Sequence, residues 1–158
     1  MAKKIEYQVI LLRIEDEKGF PFWEKLRPSL EKQAIEYQKE MAEITGKPEL
    51  YFSILTGLAM PGPSTLCLAA DRDYNVYGFI YIEYDMITKT LWTSHIFVDK
   101  GARKCGVYKT MMERVKKFAH DAGFKRIMSL VYTRNTPSMV AHAKEGFEAM
   151  WTGFEMEI

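Results

Sequence analysis

The segment from Thr90 to Tyr108 constrains this chain most. Nine residues, Thr90 to Val98, read as a strand, and Val107 opens a helix-like run. Between them lies Asp99-Lys100-Gly101-Ala102-Arg103-Lys104-Cys105-Gly106, a short loop with two glycines and three basic residues. A glycine-bearing loop that feeds a helix N-terminus turns backbone N–H groups toward one point and suits a phosphate. The bland alternative is a strand-to-helix turn with solvated lysines.

The rest of the chain reads as mixed α and β. Ile5 to Ile14 is a strand candidate. Pro28 is expected to start a helix, because proline is tolerated in the first turn. Leu30, Ala34, Tyr37, Met41 and Ile44 then recur at helical spacing, and Gly46 and Pro48 end the run. Pro48 to Met60 reads as a further helix. Thr65 to Ala70, Val76 to Tyr84 and Thr90 to Val98 read as three strands joined by short polar turns. Strict alternation puts Val76, Ile80 and Ile82 on one face, with Tyr77, Phe79 and Tyr81 on the other. It also puts Trp92, Ser94 and Ile96 opposite Thr93, His95 and Phe97. Val107, Met111, Val115 and Phe118 mark an amphipathic helix, which Gly123 closes. Arg126 to Tyr132 reads as a strand and Pro137 to Glu145 as a short helix capped near Asn135 or Thr136. Phe147 to Ile158 is expected to add one or two final strands.

At 158 residues the chain fits one domain with one sizeable core. No linker or repeat divides it. A formal net charge of +1 gives no global attraction to nucleic acid or membrane, so a basic site must be local. Tyr51 to Ala70 carries no charge, yet Pro61-Gly62-Pro63 breaks it, which argues against a membrane span. The apolar run Val9 to Leu12 is short and meets Arg13, Glu15 and Asp16, unlike a signal peptide. Cys67 and Cys105 suggest neither a disulfide framework nor a metal motif. A reduced cytoplasmic setting is the expectation.

Two segments together resemble the GNAT superfamily of acyl-CoA-dependent N-acyltransferases. Arg103-Lys104-Cys105-Gly106-Val107-Tyr108 matches the family's pyrophosphate loop, an Arg or Gln, two residues, Gly, one residue, and Gly or Ala. Tyr108 departs from the small residue usual at the end, and Lys100 replaces a common proline. Val98 matches the strand-end valine. The second segment, Asn135 to Phe147, resembles the family's Asn, small residue, Tyr, Gly-Phe pattern through Asn135, Ser138 and Gly146-Phe147. His142 stands where many members carry a tyrosine.

The resemblance implies a central, mostly antiparallel sheet of about six or seven strands flanked by helices, with one parallel pair splayed apart. It implies acetyl-CoA as cosubstrate, no metal, and direct transfer of an acetyl group to a primary amine. The cofactor-binding residues it implies are Phe97, Val98, Arg103, Lys104, Cys105, Gly106, Val107, Tyr108, Lys109 and Asn135. Backbone groups near Phe97 and Val98 would bond pantetheine, and Arg103, Lys104 and Lys109 would supply positive charge. His142 is expected to protonate the departing thiolate. Glu83 and His95 are the candidates for removing a proton from the attacking ammonium. The acceptor, a small molecule or a protein amine, is unreadable. Phe20, Phe22, Trp23, Trp151 and Phe154 would line its pocket or a homodimer interface. Two other classes compete: a non-catalytic CoA-binding or protein-interaction module on the same fold, and a nucleic-acid binder, which the near-neutral charge disfavours.

Overall fold

A computed structural model describes residues 5–13, 23–47 and 64–150. Five strands form one sheet in sequential order: β1 (Gln8–Arg13), β2 (Ser64–Ala70), β3 (Val76–Asp85), β4 (Thr90–Val98) and β5 (Arg126–Ser129). The first four pair antiparallel, and β5 runs parallel to β4. Helix α1 (Trp23–Thr45) covers one face. Helix α2 (Val107–Asp121) covers the other, and α3 (Thr136–Lys144) follows β5. Among the described residues the sheet has five strands, where six or seven are expected for the whole chain. The expected helix from Pro48 and the last strand residues, 151–158, lie outside the described residues.

The helical stripes hold. Leu30, Ala34, Tyr37 and Met41 are buried against Leu66, Leu68, Phe79 and Phe97. Val107, Met111 and Val115 are buried against Cys67, Ile80 and Ile82. Pro28 does not start α1, however. It lies inside the helix, six residues in. Its missing N–H leaves the Glu24 carbonyl without its helical donor. An interior proline costs about 3 kcal/mol. Leu26 and Leu30, both fully buried, flank it, and each contributes about 2 kcal/mol by leaving water. The apolar stripe therefore extends back through the proline.

Strict alternation fails at two β-bulges. Ala69 pairs with Gly78 and Ala70 with Val76, so Tyr77 is an extra residue. Val76 consequently joins Phe79 and Tyr81 under α1, while Tyr77 joins Ile80 and Ile82 on the α2 side. Tyr81 pairs with His95 and Ile82 with Thr93, which makes Ser94 the extra residue of β4. Before it, Leu91 belongs to the α2 side. After it, Ile96 and Val98 do, and Phe97 packs under α1. A bulge re-aims side chains in this way because the inserted residue reverses the phase of the pleat.

The bulge coincides with the point where the sheet opens. β5 pairs with β4 over only four rungs, Thr90 to Thr93 against Arg126 to Ser129. Expected strand residues beyond Ser129 are not in the ladder. From Ser94 to Val98, β4 keeps β3 on one side and has no described strand on the other.

Candidate functional site

The open edge of β4 presents particular backbone groups. Asp99 N donates to Tyr77 O at 2.8 Å, which makes Gly78 and Val98 a non-hydrogen-bonded pair. Ladder alternation then turns the N–H and C=O of Ile96 and Val98 outward, and those of Phe97 inward to Phe79. Phe97 therefore contributes no free backbone group, contrary to expectation, and Ile96 takes its place. A Cβ on Gly78 would meet the Phe97 carbonyl oxygen at 2.8 Å, so this close approach requires glycine.

Beyond Val98 the chain makes a 3-10 turn, Lys100–Ala102. Asp99 caps it, its Oδ1 accepting from Gly101 N at 2.8 Å. Lys104 and Gly106 then adopt positive φ, 63° and 82°. Gly106 is the N-cap of α2, and no side chain caps this end. The N–H groups of Gly106, Val107 and Tyr108 donate to no described residue. First-turn amides have no intrahelical acceptor, and they carry the positive end of the helix dipole. Gly106 is exposed, and a Cβ there would meet nothing within 4 Å. Its left-handed conformation is thus the reason for glycine. Lys104 is exposed beside this cradle, and Lys109 lies 3.9 Å from Glu113 on the solvent side. Val107 is buried and anchors the helix start. Cys105 is half-buried and forms no disulfide, and Cys67 is buried, which pushes its thiol up to about 12.

Arg103 is not loose positive charge. Its Nε donates to Val98 O at 3.0 Å, and its Nη2 reaches Glu40 of α1 at 2.5 Å. The guanidinium lies over the Phe97 ring, 5.7 Å from its centroid. Gln33 of α1 also donates to Asp99 Oδ2 at 3.2 Å. The long helix thus holds the loop from the other side of the sheet.

On the α1 face, Glu83 and His95 come together at the bulge. The Ser94 hydroxyl bonds the Glu83 carboxylate. His95 Nδ1 is 2.8 Å from Tyr37 Oη, and its ring sits between Tyr37 and Tyr81, 5.6 and 6.0 Å away. Burial lowers the His95 pKa below its ordinary 6.5, with Glu83 pulling weakly the other way. His95 is therefore neutral near pH 7.

His142 sits elsewhere, at the fork. Its Nδ1 lies 2.7 Å from the Ser138 carbonyl oxygen and its Nε2 lies 2.8 Å from Ser129 Oγ. It is only 6% exposed, with the Tyr108 ring tilted against it at 5.8 Å and the Phe147 ring edge-on at 5.1 Å. Burial lowers its pKa, and the backbone bond opposes that only in part. A proton donor to a thiolate needs a free N–H at the groove. Both nitrogens are instead bound within the protein, which departs from the expected acid role. The Tyr108 ring lies against His142, and its hydroxyl is buried without a described partner. Asn135 is the N-cap of α3, its Oδ1 accepting from Ser138 N at 3.2 Å.

Periodicity did not single out Ser94, Ile96 or Ser129, because only the bulge and the short β5 give them significance. Glu40 carried no signal, and Tyr37 read as core. Phe20, Phe22, Trp151 and Phe154 lie outside the described residues. Among the described residues no group of ligands could hold a metal, and no helix is long and apolar enough to cross a membrane. A separate cavity of about 210 Å³, lined by Gln8, Ile10, Leu26, Asp71, Arg72 and Tyr74, shares no residue with the fork or loop.

The parallel strand pair thus parts beside a helix N-terminus that no side chain caps. The chain matches the Acetyltransferase (GNAT) family over residues 23–147, and it belongs to that family. Membership supports acyl transfer as the class of chemistry. Three solved structures share the fold. The tetramutant of the BH1408 protein from Bacillus halodurans is 11% identical, with TM-score 0.72, covering 96% of this chain and 99% of that one. Ribosomal-protein-alanine N-acetyltransferase from Brucella melitensis biovar Abortus 2308 is 12% identical, with TM-score 0.67, covering 97% and 100%. The aminoglycoside acetyltransferase meta-AAC0020, from an uncultured soil metagenomic sample, is 13% identical, with TM-score 0.66 and 96% of each chain covered. No curated protein matches the sequence.

Proposed function

We propose that the protein is an acetyl-CoA-dependent N-acetyltransferase acting on a primary amine, as a single domain in the cytoplasm. The carrying observation is the set of unengaged first-turn amides at Gly106, Val107 and Tyr108, lying just past the open edge of β4. A diphosphate suits them by charge and by hydrogen bonding. Lys104 and Lys109 add exposed positive charge, and Cys105 shapes the loop without reacting. The pantetheine arm would bond Ile96 and Val98 along the edge, with Arg103 yielding the Val98 carbonyl to it. Asn135 would act indirectly, by starting α3.

The thioester would then lie near the bulge, within reach of the α1 face. Glu83 would attract the acceptor ammonium, and neutral His95 would take its proton. The amine nitrogen attacks the acyl carbon, the C–N bond forms, and the C–S bond breaks. As the C–S bond breaks, the nitrogen gives up its second proton, which passes through water to the departing thiolate, so one proton rests on His95 and charge balances without His142. No covalent enzyme intermediate is required.

The acceptor, small molecule or protein, is to be found by screening. Calorimetry with acetyl-CoA and a free-thiol assay with an amine panel test the proposal. Binding with thiol release supports it. Binding without thiol release favours the non-catalytic module, which the buried Tyr108 hydroxyl and the occupied His142 nitrogens also favour. Absence of acetyl-CoA binding refutes both.

A further inference from the structure

Four polar contacts converge where β4 and β5 part. Thr93 and Ser129 form the last rung of the parallel ladder. Thr93 Oγ1 donates to Met128 O at 3.4 Å, and Ser129 Oγ lies 3.2 Å from Thr93 O. Ser129 Oγ also lies 2.8 Å from His142 Nε2, and His142 Nδ1 lies 2.7 Å from Ser138 O. A carbonyl oxygen only accepts, so Nδ1 carries the proton. In neutral His142, Nε2 is then an acceptor. Ser129 has one hydroxyl proton, and the shorter contact directs it to Nε2. The imidazole thus joins β5 to α3 at the vertex and has no proton left over for the groove.

We propose that His142 is a positioning residue: with Ser129 it fixes the depth at which β4 and β5 part, and so the place where an acyl donor's thioester comes to rest. The vertex needs such a device. Only four rungs hold β5, and a parallel ladder of that length has little stability of its own. A fifth rung would cover the outward groups of β4, and a lost rung would move the vertex away from the Ser94 bulge. A side chain anchored in α3 sets the number. The kinetic part of this inference rests on the acyl-transfer reading, and its structural part does not.

Glutamine separates this role from proton transfer. Its carboxamide oxygen can take the Ser129 bond, but it does not titrate. Four variants are compared with the parent: H142A, H142Q, S129A and S129T. Loss of the vertex bond in H142A and S129A should speed amide exchange over residues 127–129 about tenfold. In the same two variants kcat should fall about tenfold, with CoA affinity unchanged and the pH profile keeping its shape. H142Q and S129T should stay within about threefold of the parent in both measurements, since each keeps the vertex bond. The proposal is overturned if H142Q loses turnover as H142A does and both lose the basic limb of the profile, which is the mark of a general acid. It is equally overturned if H142A leaves amide exchange at the fork unchanged. Should the parent acetylate no amine, the enzyme reading fails by that result, and amide exchange alone decides the role of His142.

Discussion

The two halves of the candidate site are made of different material. The half proposed to hold the donor is backbone: the outward groups of Ile96 and Val98 and the amides of Gly106 to Tyr108. The half proposed to meet the acceptor is side chains: Glu83, Ser94 and His95, held against Tyr37 and Tyr81. Backbone geometry tolerates changes of side chain, provided that glycine remains where φ is positive. The acceptor half depends on which face each residue occupies, and one inserted residue decides that.

The difference predicts how each half fails. The largest effect belongs to the acceptor half. His95→Gln should lower kcat about 100-fold, the usual scale for losing a general base, with donor affinity intact. Because burial holds His95 below 6.5, kcat/KM in the parent should be level above that pH and fall on the acid side. His95→Gln should erase this acid limb, as rate measurements from pH 5 to 8 would show. A limb that persists in His95→Gln and disappears in Glu83→Gln would transfer the role to Glu83.

The next effect reaches both halves through the strand they share. Gly78→Ala drives a methyl group against the Phe97 carbonyl oxygen. It should destabilise the fold by about 2 kcal/mol, measured by denaturant titration. An unchanged midpoint would mean that β3 and β4 are not so closely apposed. Gly106→Val tests the donor half alone. A β-branched residue in left-handed conformation costs about 1–2 kcal/mol, so acetyl-CoA affinity should fall about tenfold by calorimetry while thermal stability drops only slightly. The smallest effect is expected of Glu40→Gln. It removes a carboxylate that competes for Arg103, and a half-exposed ion pair is worth no more than about 1 kcal/mol. Donor affinity should rise by less than about fivefold. A fall would show that Glu40 holds Arg103 in its working position.

A pH effect on stability accompanies these variants. His95 and His142 are both neutral in the folded protein, with pKa lowered by burial. The unfolded chain binds their protons more readily. Stability from this source is complete above 6.5 and declines as pH falls toward the folded values. Thermal melts between pH 7 and 5 should show the decline, and the His95→Gln variant should show less of it.

The same division explains what was legible in the sequence. The turn before α2 could be read because glycine at a helix start has a local cause: the left-handed φ of Gly106 is a property of one residue. The stripes of α1 and α2 could be read because the helical period is not interrupted. Pro28 misled because its cost is local, whereas the burial of Leu26 and Leu30 that offsets it is tertiary. The bulges at Tyr77 and Ser94 misled for a similar reason. An extra residue leaves no mark on composition, yet it moves Val76 and His95 to the other face. His142 was found by its place in a motif, but its chemistry depends on Ser129, a partner that only the β4–β5 ladder supplies.

The central claim is that the main chain from Ile96 to Tyr108 holds the donor. Backbone amide NMR during titration with CoA tests it most directly. The account predicts the largest shifts at Gly106, Val107 and Tyr108, smaller ones at Ile96 and Val98, and little change at Glu83. Saturable binding that leaves those five amides unmoved, or no binding at all, would contradict it.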